Sequence, residues 1–168
     1  YLLGAVGPRP IALASTLDQN ETPNLSPYSF FNVFSANPPI AIFSPARRVR
    51  NNTTKHTLEN VLLNKEVVIN LVSYDMVQQT SLSSTEYPAG VNEFLKSGLT
   101  PIKSKKVKPF RDKESPVQME CKVREVIPLG QEGGAGNLVI CEIVMLHLKK
   151  RILNDLGKID PNQLDLVE

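Results

Sequence analysis

With 168 residues, 41% of them hydrophobic and 21% charged, the chain fits one domain over 1–168, large enough to bury a core without disulfide or metal staples and far from a disordered composition. A net charge of +2, with basic residues that do not interleave with aromatics, argues against nucleic acid as a partner. No apolar run approaches the roughly 18 residues of a membrane span, and no basic segment followed by an apolar stretch opens the chain, so a cytoplasmic protein with no membrane partner is expected.

Pro8 and Pro10 bracket Arg9 and hold the chain extended into a strand over residues 11–17, which ends at the polar turn Asp18-Gln19-Asn20-Glu21. An aromatic strand is predicted over 25–35, through Ser26-Pro27-Tyr28-Ser29-Phe30-Phe31-Asn32, stopped by the turn Asn37-Pro38-Pro39. Residues 40–44 make a short apolar strand. A polar and basic stretch, 45–57, then leads into a helix with Leu58, Val61 and Leu62 at i, i+3, i+4, for which Thr54 or Thr57 can supply the cap.

Asn64-Lys65 breaks that helix and residues 67–72 read as a buried strand. Two short helices follow, over 75–82 and 91–96, the second closed by Gly98. Residues 103–113 carry six cationic side chains in eleven positions and read as an exposed, solvated loop. Val117, Met119, Cys121 and Val123 alternate with polar residues as a half-buried strand, residues 138–148 form a long strand, and the glycine-rich segment 130–137 connects the two as a hairpin. Strands at both ends, helices inserted between them and no regular βαβ alternation predict a mainly antiparallel β-barrel with short helical insertions.

Several motifs fail on context. Gly133-Gly134-Ala135-Gly136 lies between two strands, without the spacing or the strand-to-helix setting of a phosphate loop. Only His56 and His147 are available for acid–base work, no Gly-x-Ser-x-Gly elbow is present, and no metal ligand set is visible. Cys121 and Cys141 read as small buried hydrophobes. Redox or transfer chemistry on this chain therefore calls for a borrowed cofactor.

What remains is a series of hydroxyls and amides at strand ends followed by cations at a helix entrance: Ser15, Thr16, Ser26, Ser29, Asn32, Ser44, Arg48, Lys55, Thr57 and Asn60. A phosphate monoester needs such donors, since Arg offers a fork, Lys a point charge, hydroxyls short hydrogen bonds and a helix N-terminus free amides.

Taken in order, the segments Gly7-Pro8-Arg9-Pro10-Ile11-Ala12-Leu13-Ala14-Ser15-Thr16, Asn24-Leu25-Ser26-Pro27-Tyr28-Ser29-Phe30-Phe31-Asn32, Asn37-Pro38-Pro39, Lys55-His56-Thr57-Leu58-Glu59-Asn60, Tyr87-Pro88-Ala89-Gly90-Val91-Asn92-Glu93-Phe94 and Gly98-Leu99-Thr100-Pro101 resemble the flavin reductase-like family. The resemblance continues through Glu114-Ser115-Pro116-Val117 to His147 and spans nearly the whole chain. It implies a six-stranded antiparallel split β-barrel with inserted short helices, a homodimer, and one FMN per subunit in a groove between subunits, with FAD also open.

By the same resemblance Ser15, Thr16, Ser26, Pro27, Tyr28 and Ser29 face the flavin with Asn32 nearby. Ser44, Arg48, Lys55, Thr57 and Asn60 hold the ribityl phosphate. His147 approaches the ring or the nicotinamide, unless it serves as a core or interface residue. The implied activity is hydride transfer from NAD(P)H to flavin, and the alternative is a non-catalytic FMN-binding electron carrier or storage protein. Where relatives carry Lys-Asp-Thr this chain has Lys55-His56-Thr57, and relatives continue past the position of Glu168. The start at Tyr1, without an initiator methionine, likewise suggests a longer polypeptide with native segments at both ends.

Overall fold

A computed structural model describes residues 1–167 of the chain. In chain order the strands are β1 (Ala12–Leu17), β2 (Pro23–Tyr28), β3 (Phe31–Ala36), β4 (Pro39–Phe43), β5 (Glu66–Leu71), β6 (Pro101–Ile102), β7 (Arg111–Asp112), β8 (Val117–Pro128) and β9 (Asn137–Leu148). Seven of them form one antiparallel sheet in the order β2-β1-β5-β8-β9-β4-β3, and β6 pairs with β7 apart from it. The helices are α1 (Leu2–Ala5), α2 (His56–Asn64), α3 (Val77–Ser83), α4 (Glu93–Ser97) and α5 (Pro161–Leu164). None is long and apolar enough to cross a membrane, among the described residues.

The main sheet has one strand more than the six expected, because the aromatic run does not form one strand. It splits at Ser29-Phe30 into β2 and β3, which occupy opposite edges of the sheet. Three peptide steps reach at most about 11 Å, so the two edges must approach at this point. The sheet therefore curls into an antiparallel barrel, and the Phe30 carbonyl accepts from Ser44 N at 2.9 Å beside the join.

Strand alternation sorts the buried side chains into two layers. Ala12, Ala14, Tyr28, Phe43, Ile69, Met119, Cys121 and Cys141 face inward, where Leu58 and Val61 of α2 join them. Leu13, Leu25, Val72, Met76, Phe94 and Leu99 form the outer layer, beneath the helical insertion. β1 is consequently buried on both faces along its whole length. Both cysteines are free and buried as expected, and burial pushes the Cys141 thiol up to about 12.

Three elements differ in detail from the sequence expectation. Lys55, rather than Thr54 or Thr57, is the N-cap of α2, and it provides no side-chain cap, while the helix closes at Lys65 in the left-handed region. The expected helix over 75–82 is a single 3-10 turn at Tyr74–Met76 followed by α3. The cationic stretch 103–113 is not a free loop, since it is fastened to the buried carboxylate of Glu120, on β8.

The glycine-rich hairpin has a positioning role. A Cβ at Gly133 would stand 3.0 Å from Val49 Cα, and one at Gly136 would stand 2.6 Å from Ser44 Oγ. Only glycines allow that approach. Arg47 N donates to Ala135 O at 2.8 Å and Gly134 N donates to Arg47 O at 3.0 Å, so the hairpin fixes the segment that carries Arg48.

Candidate functional site

The first turn of α2 opens onto a cavity of about 180 Å³, with Ser26 and Tyr28 of β2 on one side and Ser83, Ser84 and Thr85 on the other. Lys55 makes no side-chain cap, and its carbonyl accepts from Leu58 N at 2.9 Å, which leaves the His56 and Thr57 amides of the first turn without an acceptor among the described residues. α4 differs: its N-cap Asn92 accepts from Phe94 N at 3.0 Å.

Two cations flank the α2 opening. Lys55 Nζ sits 5.2 Å from the centre of the Tyr28 ring, a cation–π contact. Burial lowers the Lys55 pKa, Arg48 lowers it further and Glu86 opposes both. Arg48 donates through Nη1 to Thr53 Oγ1 at 3.2 Å and to the Thr54 carbonyl, and its Nε lies 2.6 Å from Glu86 Oε1. The Tyr28 hydroxyl is buried without a hydrogen-bond partner. Burial raises its pKa against the opposing pull of Thr57, Ser26 and Arg48, so it stays a neutral donor.

Beneath the cavity a buried network ties α2 to β1, β2 and α4. Asn24 Oδ1 accepts from Thr57 Oγ1 at 2.8 Å and from Thr16 Oγ1 at 3.2 Å, while Asn60 Nδ2 donates to Thr16 Oγ1 at 3.0 Å. Asn24 Nδ2 donates to Glu93 Oε1 at 3.0 Å, and Leu25 N donates to Glu93 Oε2 at 3.1 Å. Burial raises the Glu93 carboxyl, and the bonds from Leu25 and Asn24 moderate the rise. A neighbouring cavity of about 290 Å³ shares Asn24, His56 and Glu93, but it is lined by Asp18 and Glu59 and by no Lys or Arg, which disfavours an anion there.

The structure therefore brings Ser26, Tyr28, Arg48, Lys55 and Thr57 together around one cavity. Thr16 and Asn60 lie below it in the buried network. Ser15 is fully buried with Oγ unpartnered, and Ser44 is buried beneath Gly136. Pro27 and Ser29 are half-buried, while Asn32 is exposed with its Oδ1 accepting from Val33 N at 2.8 Å. None of these last five residues lines the cavity.

His147 lies on the outer face of the β8–β9 ribbon, the face opposite Met119 and Cys121, with its Nε2 2.6 Å from Glu120 Oε1. Glu120 is fully buried and also accepts from the amides of Lys105 at 2.8 Å, Lys106 at 2.5 Å and Val107 at 3.2 Å, with Arg111 Nε 3.8 Å away. Burial opposes its ionisation, but those amides and His147 outweigh it and hold the carboxyl below its ordinary value.

Asn24, Glu86, Glu93 and the run Ser83-Ser84-Thr85 were not singled out as site residues by sequence reasoning. The hydroxyl run ahead of Tyr87 was the one available signal.

The chain matches the sequence profile described as flavin reductase like domain over residues 5–158. It belongs to the flavin reductase-like family. A curated relative from Aquifex aeolicus, an uncharacterized protein, is 38% identical over 154 residues, covering 92% of this chain and 76% of its own length. Among solved structures, nitrilotriacetate monooxygenase component B from Bacillus cereus superposes with a TM-score of 0.91 at 29% identity, covering 98% of this chain and 81% of that one. A protein of Shewanella frigidimarina, described as a flavin reductase with a split barrel domain, superposes with a TM-score of 0.80 at 28% identity, over 94% of this chain and 76% of its own. The flavin reductase-like chain thus has the antiparallel split-barrel fold and a flavin-related function.

Proposed function

We propose that the chain binds FMN, with the phosphate at the α2 opening, and that it promotes hydride transfer from NADH or NADPH to the bound flavin. The observation that carries this reading is the uncapped N-terminus of α2, set between Arg48 and Lys55 beside the orphaned Tyr28 hydroxyl. Helix amides, a guanidinium fork and an ammonium together match a phosphate dianion. The hydroxyls of Ser26, Ser83, Ser84 and Thr85 add neutral donors for phosphate and ribityl oxygens.

A cavity of about 180 Å³ is smaller than the roughly 300 Å³ at which pockets for whole small ligands begin, so it holds one end of the mononucleotide. The ring then lies outside it, along the join of β2 and β3, where Pro27, Ser29 and Asn32 flank it. Phe34 on edge strand β3 is 65% exposed and Val33 is 53% exposed, which suits cover by a second copy and favours a homodimer. Thr16, Thr57 and Asn60 act as positioning residues that fix α2 against β1 and β2. Ser44 supports the hairpin that fixes Arg48.

FMN, when bound, supplies the hydride-accepting chemistry that the side chains lack. The chain's own part is to anchor the phosphate, hold the ring's edge against backbone donors and keep water from one ring face. The likeness to a monooxygenase component supports a redox role of this kind. FMN is favoured over FAD because the cavity beyond the phosphate position is acidic and offers the second phosphate no Lys or Arg.

The test is a visible spectrum of the purified chain equilibrated with FMN, followed by addition of NADH or NADPH. A bound flavin spectrum that bleaches with the nucleotide supports the reading, and turnover with an added electron acceptor separates an enzyme from a carrier. No FMN binding would overturn it.

A further inference from the structure

The carboxylate of Glu86 occupies the part of the anion cradle that faces solvent. Its Oε1 lies 2.6 Å from Arg48 Nε, and the Arg48 side chain is only 18% exposed whereas that of Glu86 is 62% exposed. Arg48 spends Nη1 on Thr53 and on the Thr54 carbonyl. The edge left for a bidentate anion is therefore the one shared by Nε and Nη2, and Glu86 already sits on it.

The other carboxylate at this cavity is not a rival for that edge. Both oxygens of Glu93 are taken by Asn24 and by Leu25 N, which fix it against β2. Glu86 makes no hydrogen bond besides its contact with Arg48 among the described residues, and it lies between α3 and α4, outside any helix or strand. An exposed carboxylate on such a segment turns into water at little cost. A phosphate arriving within hydrogen-bonding range of Arg48 would meet it as a like charge.

We infer that Glu86 is an internal competitor for the phosphate position, a specificity-determining gate that holds Arg48 in the empty cradle and must swing aside when a phosphate monoester enters. This rests on the phosphate reading of the cavity. It makes affinity for phosphorylated flavin lower, and release faster, than Arg48 and Lys55 alone would allow. A flavin without the phosphate does not sense the gate.

The experiment titrates the wild-type chain, Glu86→Gln and Arg48→Ala with FMN and with riboflavin, read by flavin fluorescence, alongside thermal melts. Glu86→Gln is expected to bind FMN roughly 2- to 5-fold tighter, the scale of a partly exposed ion pair, with slower release and unchanged riboflavin affinity. In a double variant that also carries Arg48→Ala, Glu86→Gln should leave FMN affinity at the level of Arg48→Ala alone, because the contact it relieves is gone. Unchanged or weaker FMN binding by a normally melting Glu86→Gln protein would overturn the gate while leaving the phosphate site standing. A wild-type chain that binds FMN no better than riboflavin would overturn the phosphate reading and the gate together.

Discussion

The α2 opening and the Glu120 cluster are built from the same kinds of part and end in opposite states. Around Glu120 three backbone amides, His147 and Arg111 converge on an anion that belongs to the chain and is fully buried. Around the α2 opening the amides, Arg48 and Lys55 converge on a cavity whose nearest free carboxylate, Glu86, is exposed and held by one contact. Donors satisfied internally stabilise a fold, whereas donors left facing a cavity are available to a ligand. The difference sets a structural site apart from a candidate binding site without appeal to residue type.

The largest effect is expected where the internal anion is removed. Glu120→Ala strands the amides of 105–107 together with His147 and Arg111, which should cost about 3–5 kcal/mol. For a chain of this size that is a fall in Tm of roughly 10 °C. Calorimetry checks it, and Glu120→Ala protein melting like wild type would break the comparison.

At the other site the pattern should reverse. Arg48→Ala is expected to weaken FMN binding about 10- to 100-fold, the scale of charge-assisted hydrogen bonds, with little change in melting temperature. A titration paired with a melt reads both. Loss of stability without loss of affinity would mean that Arg48 belongs with Glu120 as a structural cation.

Asp112 sharpens the point from a third direction, as a carboxyl buried with too few donors. It is fully buried, Oδ1 accepts from Glu114 N at 3.0 Å, and Oδ2 has no partner. Burial, together with Glu114, pushes it from 3.8 up to about 8. The folded chain thus keeps a proton that the unfolded chain loses above pH 3.8, so this contribution to stability declines as pH rises toward 8. Glu120, held below its ordinary value, acts in the opposite sense and weakens the fold as pH falls through and below the ordinary carboxylate range. Asp112→Asn should remove the decline in stability between pH 3.8 and about 8 in a profile measured by urea unfolding, and leave the profile below that window unchanged.

The smallest effect belongs to His147→Gln, which removes one of several partners of Glu120. A loss of about 1 kcal/mol is expected, with the rate of flavin reduction by NADH unchanged in stopped-flow measurements. A large fall in that rate on folded protein would restore His147 to the reacting centre.

Much of this was legible before the structure. The alternation around Met119 and Cys121, the helical spacing of Leu58, Val61 and Leu62, and the turn at Asp18-Gln19-Asn20-Glu21 are local signals, and the strands and helix stand where they indicate. The break at Ser29-Phe30 was not legible, because both halves are apolar and aromatic and the cause is closure of the sheet, a long-range event. Ser26, Arg48, Lys55 and Thr57 were named from donor chemistry and Tyr28 from the family resemblance, and all five do share a cavity. Thr16 and Asn60 were named by the same chemistry, but their bonds run to each other and to Asn24. Donor type shows what a side chain can bind, and only packing shows what has already bound it. For the same reason Glu86 was missed: the segment before α4 reaches the site because Phe94 buries itself beneath the insertion.

The phosphorus resonance of FMN, followed by NMR as the chain is added, tests the central claim most directly. A phosphate seated among Arg48, Lys55 and the α2 amides should shift on binding and remain a dianion well below its free second pKa of about 6, because cations favour the charged form. A bound flavin whose phosphorus signal neither shifts nor changes its titration from free FMN would contradict the account.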